Sequence, residues 1–321
     1  MTQKTRYLTK VALAFSLSLL IMFLLVLPGK ATAQDWDRDE AYRVENFSLS
    51  GGGSLDVRTS GGHITVEGSD GDEIRVEMYV TQRGKHLLPE DTDLEDFDIT
   101  IEQSGSRITA TAEGSRNDWR FWRNNNLSIS FVVYTPRDMQ STLRTSGGHI
   151  TVSGLNGRQE VRTSGGHLEL NDLMGEVEAR TSGGHIEIAR FEGTMSARTS
   201  GGHISAENAN GVIDLHTSGG HIELADVGGT VEARTSGGSI EADLDSINES
   251  VDLRTSGGHI TITVPGDRGY NLALRGSRVR SQLTNFSGEV ERDEIDGSIN
   301  GGGPQITART SGGTVRLNFR R

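Results

Sequence analysis

The sequence predicts an all-β chain: a single-stranded parallel β-solenoid (β-helix) with two short strands per coil of about 18 residues and an irregular N-terminal strand region. Three observations carry this prediction. The phrase Arg-Thr-Ser-Gly-Gly-His-Ile at 144–150 recurs, nearly letter for letter, at 58, 162, 180, 198, 216, 234, 254 and 309. From 144 to 234 it returns every 18 residues, and a short fixed period marks a stack of like coils. Apolar and polar residues alternate after each phrase, the signature of a strand with one buried face. Glycine supplies 42 of 321 residues in step with the period, so its abundance reads as turns rather than disorder.

The first 33 residues differ from the rest. Lys4, Arg6 and Lys10 precede an apolar run from Val11 to Leu27, then Pro28 and Gly29, then Ala31-Thr32-Ala33. A basic start, an apolar middle and a small-x-small exit describe a secretory signal peptide cleaved before Gln34. The run is long for a signal, so an uncleaved membrane anchor is the rival reading. Cleavage removes four of the 32 cationic residues and none of the 44 acidic ones. The resulting acidic chain is a poor partner for nucleic acid or anionic lipid. Membrane contact is expected only through the N-terminal segment, if uncleaved. Cysteine is absent, which excludes disulfides and thiol chemistry.

Residues 34–143 read as an N-terminal capping and irregular β region with one early repeat. "DEIRVEMYV" (72–80), "FDITIEQ" (97–103), "SRITATAEG" (106–114) and "LSISFVVYTP" (127–136) have the strand pattern. Within this region, Trp119, Arg120, Phe121, Trp122 and Arg123 form a dense aromatic and cationic cluster. Such residues anchor interfaces and stack on sugars, or cover an open end of the stack. They are the candidate partner-binding residues.

Residues 144–263 read as the regular solenoid. In the unit 180–197, Ile186 and Ile188 point inward; Ile186 heads a column that is aliphatic in all nine copies, from Ile64 to Val315. A second strand precedes each Arg, with Val177 and Ala179 inward. Two turns close each coil, one at Ser-Gly-Gly and one at Gly157, Gly175, Gly193, Gly211 and Gly229. Glycine is expected in the Ser-Gly-Gly turn because it adopts positive φ cheaply, so Gly184→Val should break a corner. Residues 264–321 read as a loop and a final coil of the same domain.

Stacking makes ladders. Arg144, Arg162, Arg180, Arg198, His216, Arg234 and Arg254 adjoin Glu160, Glu178, Asp214, Glu232 and Asp252, either a solvated salt-bridge face or an anion- or glycan-binding stripe. His149, His167, His185, His203 and His221 form an unbroken outward column, with His63 and His259 in outlying copies. Imidazoles beside Glu169, Glu187 and Glu223 have the ligand chemistry for Zn²⁺, Ni²⁺ or Cu²⁺. No coil offers a closed ligand set, and histidine also charges near pH 6.5, so a pH-responsive ladder is a further expectation.

The stretch from Ile129 to Ile188, "ISFVVYTPRDMQSTLRTSGGHITVSGLNGRQEVRTSGGHLELNDLMGEVEARTSGGHIEI", resembles the Toastrack family of bacterial β-strand-repeat domains. The family pattern is a strand ending in Pro, then "T-x-x-G-x-I" repeats separated by "L-x-G-x-V". The closing "GSINGGGPQITARTSGGTVRL" fits as well, so the resemblance spans roughly 47–319. It implies a domain of unknown function, often named an adhesin, outside the cytoplasmic membrane and without family catalytic residues. The histidine column departs from the polar residues usual there. The expected protein is a non-enzymatic, cofactor-free exported envelope scaffold or adhesin, in the periplasm or on the cell surface, that binds an envelope protein or glycan. A metal-binding or pH-responsive module is the alternative, and a polysaccharide-acting enzyme is a third class, disfavoured because repeated rungs rarely make one unique catalytic site.

Overall fold

Alternation becomes strands in the computed structural model of the chain, which describes residues 41–49, 51–114 and 127–320. Twenty-three strands and no helix occur among the described residues, and most strand pairs of the repeat array are parallel. The predicted signal peptide (1–33) and the cluster Trp119–Arg123 lie outside the described residues.

The repeat pairs with the next repeat in register. Leu168–Arg180 lies beside Ile186–Arg198, with Leu168 opposite Ile186 and Arg180 opposite Arg198. Ile204–His216, Ile222–Arg234 and Ile240–Thr255 continue the series. The last pairing shifts register between Leu224 and Val231, where the interval of 20 inserts extra residues. The aliphatic column after His is fully buried from Ile64 to Val315. Each coil thus hides its apolar face against its neighbours, as expected of a stack.

Two details differ from the expectation of two short strands per coil. The strand runs through 13 residues in the regular coils, bent rather than interrupted. The first bend is a left-handed residue: Gly154 (φ 70°), Asp172 (54°), Arg190 (55°), Asn208 (53°) and Asp226 (53°). The second is the expected glycine, with φ from 105° at Gly157 to 135° at Gly193. Between the bends a further inward column is buried: Leu155, Leu173, Phe191, Ala209 and Val227. Its members trade volume, Phe191 lying opposite Ala209, as close packing requires.

The second glycine of Ser-Gly-Gly is also explained differently. None of these glycines has positive φ. A Cβ on Gly184 would lie 1.8 Å from the carbonyl oxygen of Gly166 in the neighbouring coil, and the equivalent contacts at Gly148, Gly202 and Gly220 are 1.9 Å. Glycine is required there because two backbones meet.

The distant copies of the phrase join the same stack. Arg58 lies opposite Arg144, and Ile64 opposite Ile150. At the other end Arg254 lies opposite Arg309, and Ile260 opposite Val315. The nine copies are therefore consecutive in space, and the intervening sequence covers the ends. Beyond Ile64–Ser69 come Leu127–Pro136, then Glu73–Gln82 and Arg43–Ser48, the last two pairings antiparallel. Beyond Gly53–Thr59 come Arg107–Gly114 and, antiparallel to it, Phe97–Ser104. At the far end Tyr270–Arg275 pairs with Gln305–Thr310 and with the antiparallel Glu294–Ile299. Arg278–Ser281 closes the other ladder against Thr314–Arg320.

Candidate functional site: the outward ladders of the repeat

The Ser-Gly-Gly turn is held from inside by its threonine. Thr181 is buried, and its hydroxyl donates to the Gly166 carbonyl of the previous coil at 2.9 Å. The same oxygen accepts the Gly184 N–H at 3.3 Å. The pair of bonds recurs at Thr145, Thr163, Thr199, Thr217, Thr235, Thr255 and Thr310. Each hydroxyl thus satisfies one buried acceptor between coils and one donor within its own turn, where an orphaned group would cost about 1–3 kcal/mol. Apolar periodicity does not single out this threonine. Its presence in every copy of the phrase was the signal that could have found it.

The histidine column is brought together as expected, but as a stack of rings. Successive centroids from His149 to His221 are 4.8–5.1 Å apart with interplanar angles of 4–10°. His63 extends the stack onto His149 at 5.0 Å. Each ring is tied to the next backbone: Nδ1 of His149 accepts the His167 N–H at 2.8 Å, and the link repeats through His167, His185, His203 and His221. His63 and His259 make the same bond to the N–H of His149 and of Thr314. Serine oxygens fill the positions without a ring, Ser130 accepting from His63 and Ser239 from His259.

Accepting at Nδ1 fixes a neutral imidazole with its proton on Nε2. Burial first, then the neighbouring charge of His149, pulls the pKa of His63 below its ordinary value. Burial, then His185 and His221, does the same for His203. The proposed metal residues His149, His167, His185, His203 and His221 therefore already spend one nitrogen each on the backbone. No group of three or more His, Asp or Glu side chains placed to hold a metal ion occurs among the described residues. The acid column beside them is crowded too: burial, then Glu187, raises the Glu169 pKa.

The arginine ladder is interleaved with acids. Arg144 bonds Glu160 at 2.6 Å, Arg162 bridges Glu160 and Glu178 at 3.1 and 2.9 Å, and Arg180 returns to Glu178 at 2.8 Å. Arg198 reaches Asp214 at 2.7 Å, Arg234 pairs with Glu232, and Arg254 with Asp252 at 2.6 Å. Burial pulls the Glu160 carboxyl up, but the Arg144 hydrogen bond and the charges of Arg162, Arg144 and Arg158 outweigh it and hold the pKa low. The pairs lie at the surface with their acids half-buried, and each is worth on the order of 1 kcal/mol. A shallow groove of about 550 Å³ follows the ladder past Arg144, Arg162, Arg180, Arg198 and His216. A larger one, about 930 Å³, lies at the C-terminal end beside Pro265, Arg280, Arg316 and Phe319.

Comparison with known proteins sets this geometry in context. The family model described as Toastrack DUF4097 matches residues 53–318. No curated protein matches the chain. Among solved structures, a putative adhesin from Bacteroides fragilis is 10% identical, with a TM-score of 0.31, over 87% of this chain and 96% of that one. A putative cell adhesion protein from Clostridium sporogenes is 9% identical, with a TM-score of 0.20, over 87% and 99%. A putative lipid binding protein from Parabacteroides distasonis is 13% identical, with a TM-score of 0.30, over 86% and 96%.

Proposed function

Because the chain belongs to the Toastrack family, we propose that it is a non-enzymatic, extracytoplasmic scaffold or adhesin. Its stacked repeats are read as coils of a single-chain β-solenoid whose outer faces bind protein or glycan partners. One observation carries the reading: the outward side chains recur on rung after rung and are matched to one another, Arg to acid and imidazole to backbone N–H. Catalysis needs a constellation that one place has and its neighbours lack. A periodic face instead suits an extended partner, or rigid spacing between partners. The basic, apolar and small-x-small order of residues 1–33 supports export, and no helix among the described residues is long and apolar enough to cross a membrane.

A second reading has its own support. The Nδ1 acceptors make the histidine stack sensitive to acid, so pH-dependent loosening accompanies the scaffold role. Metal capture by the same column gains nothing from a geometry that occupies one nitrogen of every ring.

The test is to treat intact cells with a non-penetrating protease and probe for the 34–321 chain. Loss without lysis is the result expected of a surface adhesin. Protection until the outer envelope is opened points to a periplasmic scaffold. Recovery with the cytoplasm would contradict both.

A further inference from the structure

The groove at the C-terminal end brings two cations without an acid partner onto adjacent strands. Thr314–Arg320 is seven residues long, and Ile260–Pro265 flanks it from Val315 to Arg320. On its other side Arg278–Ser281 covers only Thr314 to Leu317. The chain then turns away at Gln282, and the uncovered end of the strand lines a groove of about 930 Å³.

Arg280 and Arg316 stand opposite each other on adjacent strands at its rim. Parallel neighbours lie about 4.8 Å apart, so the two like charges repel. Along this column of the stack four coils carry Glu169, Glu187, Glu223 and Glu241, the others Thr or Ser, whereas this end carries Arg316 and Arg280. Both side chains are exposed, and neither has a carboxylate within ion-pair distance among the described residues. Arg320, also in the groove, is already bound to Asp245 at 2.8 Å and Asp243 at 3.3 Å. Two unmatched guanidiniums in a chain of net charge −12 call for an anion.

The rest of the lining narrows its class. Phe319 is half-buried and offers a ring, while Asn318, Gln282 and Asp267 offer amide and carboxylate groups. The Ser281 hydroxyl oxygen is shielded from solvent and has no hydrogen-bond partner. An aromatic surface, several hydroxyl-binding groups and paired guanidiniums together suit a sugar ring bearing a carboxylate. We propose that this groove binds an acidic saccharide of the uronate type: Arg280 and Arg316 take the carboxylate, Phe319 faces the ring, and Ser281, Asn318 and Gln282 take hydroxyls. This rests on the reading of the protein as a binding module and names a ligand class for it.

The test is calorimetric titration of the 34–321 chain with tetragalacturonate and with the neutral galactose tetramer. The expected result is binding of the acidic oligomer at least about tenfold tighter than the neutral one, with a loss of about tenfold in Arg280→Gln or Arg316→Gln. Both residues are exposed and unpaired, so both variants should keep the wild-type melting temperature, which separates lost binding from lost fold. Equal affinity for the two tetramers, no binding of the acidic one, or its displacement by inorganic phosphate as readily as by monomeric galacturonate would overturn the proposal. None of those results bears on the protease test of intact cells, which judges the scaffold and adhesin reading separately.

Discussion

Gly183 and Gly184 are adjacent in one turn and equally small, yet they carry different burdens. A Cβ on Gly183 would sit 3.8 Å from its nearest neighbour, an ordinary contact, whereas one on Gly184 would strike the Gly166 carbonyl oxygen at 1.8 Å. Gly183→Ala should therefore change stability by less than about 0.5 kcal/mol. Gly184→Val should cost about 3 kcal/mol or more, because two coils must separate to admit it. Chemical denaturation of both variants checks the contrast; equal midpoints would refute the close-approach argument. The need for glycine was legible in the sequence, but its cause was not. Repetition shows that a residue is required, while only the neighbouring coil shows what it must avoid. Thr181 was missed for a related reason: threonine in a polar turn reads as surface until the turn proves to be buried.

The ladders are properties of strands rather than of single residues, and the histidine ladder makes the clearest prediction. Its Nδ1 atoms accept backbone N–H bonds only while the rings are neutral. The pKa values of His63 and His203 are lowered on folding, so protons bind the unfolded chain more readily. The stability this confers is fully present above the unfolded value of about 6.5 and is lost as pH falls through the lowered folded values. Melting temperature should thus drop between pH 7.5 and pH 5. A variant with His149, His167, His185, His203 and His221 changed to Ser should show a smaller drop, since Ser130 and Ser239 already show that a hydroxyl can accept the same bond. An equal drop in both proteins would place the acid sensitivity elsewhere. The column and its pH chemistry were legible in the sequence. The bond to the next backbone was not, because it depends on the side-chain rotamer. The left-handed bend was hidden as well, since its column holds Gly154, Asp172, Arg190, Asn208 and Asp226, of which Arg190 gives no local hint.

At the scale of the whole molecule, the central claim is that nine copies of one phrase stand consecutively although two are remote in sequence. The inward apolar columns predicted the stack itself, because every copy carries them. The columns alone do not tell a cap from a coil: Leu127–Pro136, in the region expected to cap, lies beyond copy 58, while Tyr270–Arg275, in a stretch expected to be a loop, covers copy 309. The Trp119–Arg123 cluster lies outside the described residues, and its role as a partner site stays a proposal. The end groove was not visible either: Arg280 and Arg316 are 36 positions apart and meet only through the final pairing.

The chain has no cysteine, which permits a direct measurement of that stacking. Thr65 and Thr151 face each other across the first and second copies, 86 residues apart in sequence, with Glu169 one coil further on. Adjacent parallel strands are about 4.8 Å apart, within the Cα separation a disulfide tolerates, while a two-coil gap of twice that is not. Mild oxidation of Thr65→Cys/Thr151→Cys should give an intramolecular disulfide by mass spectrometry, and Thr65→Cys/Glu169→Cys should stay reduced. A cross-link in the second protein but not the first would contradict the nine-copy order.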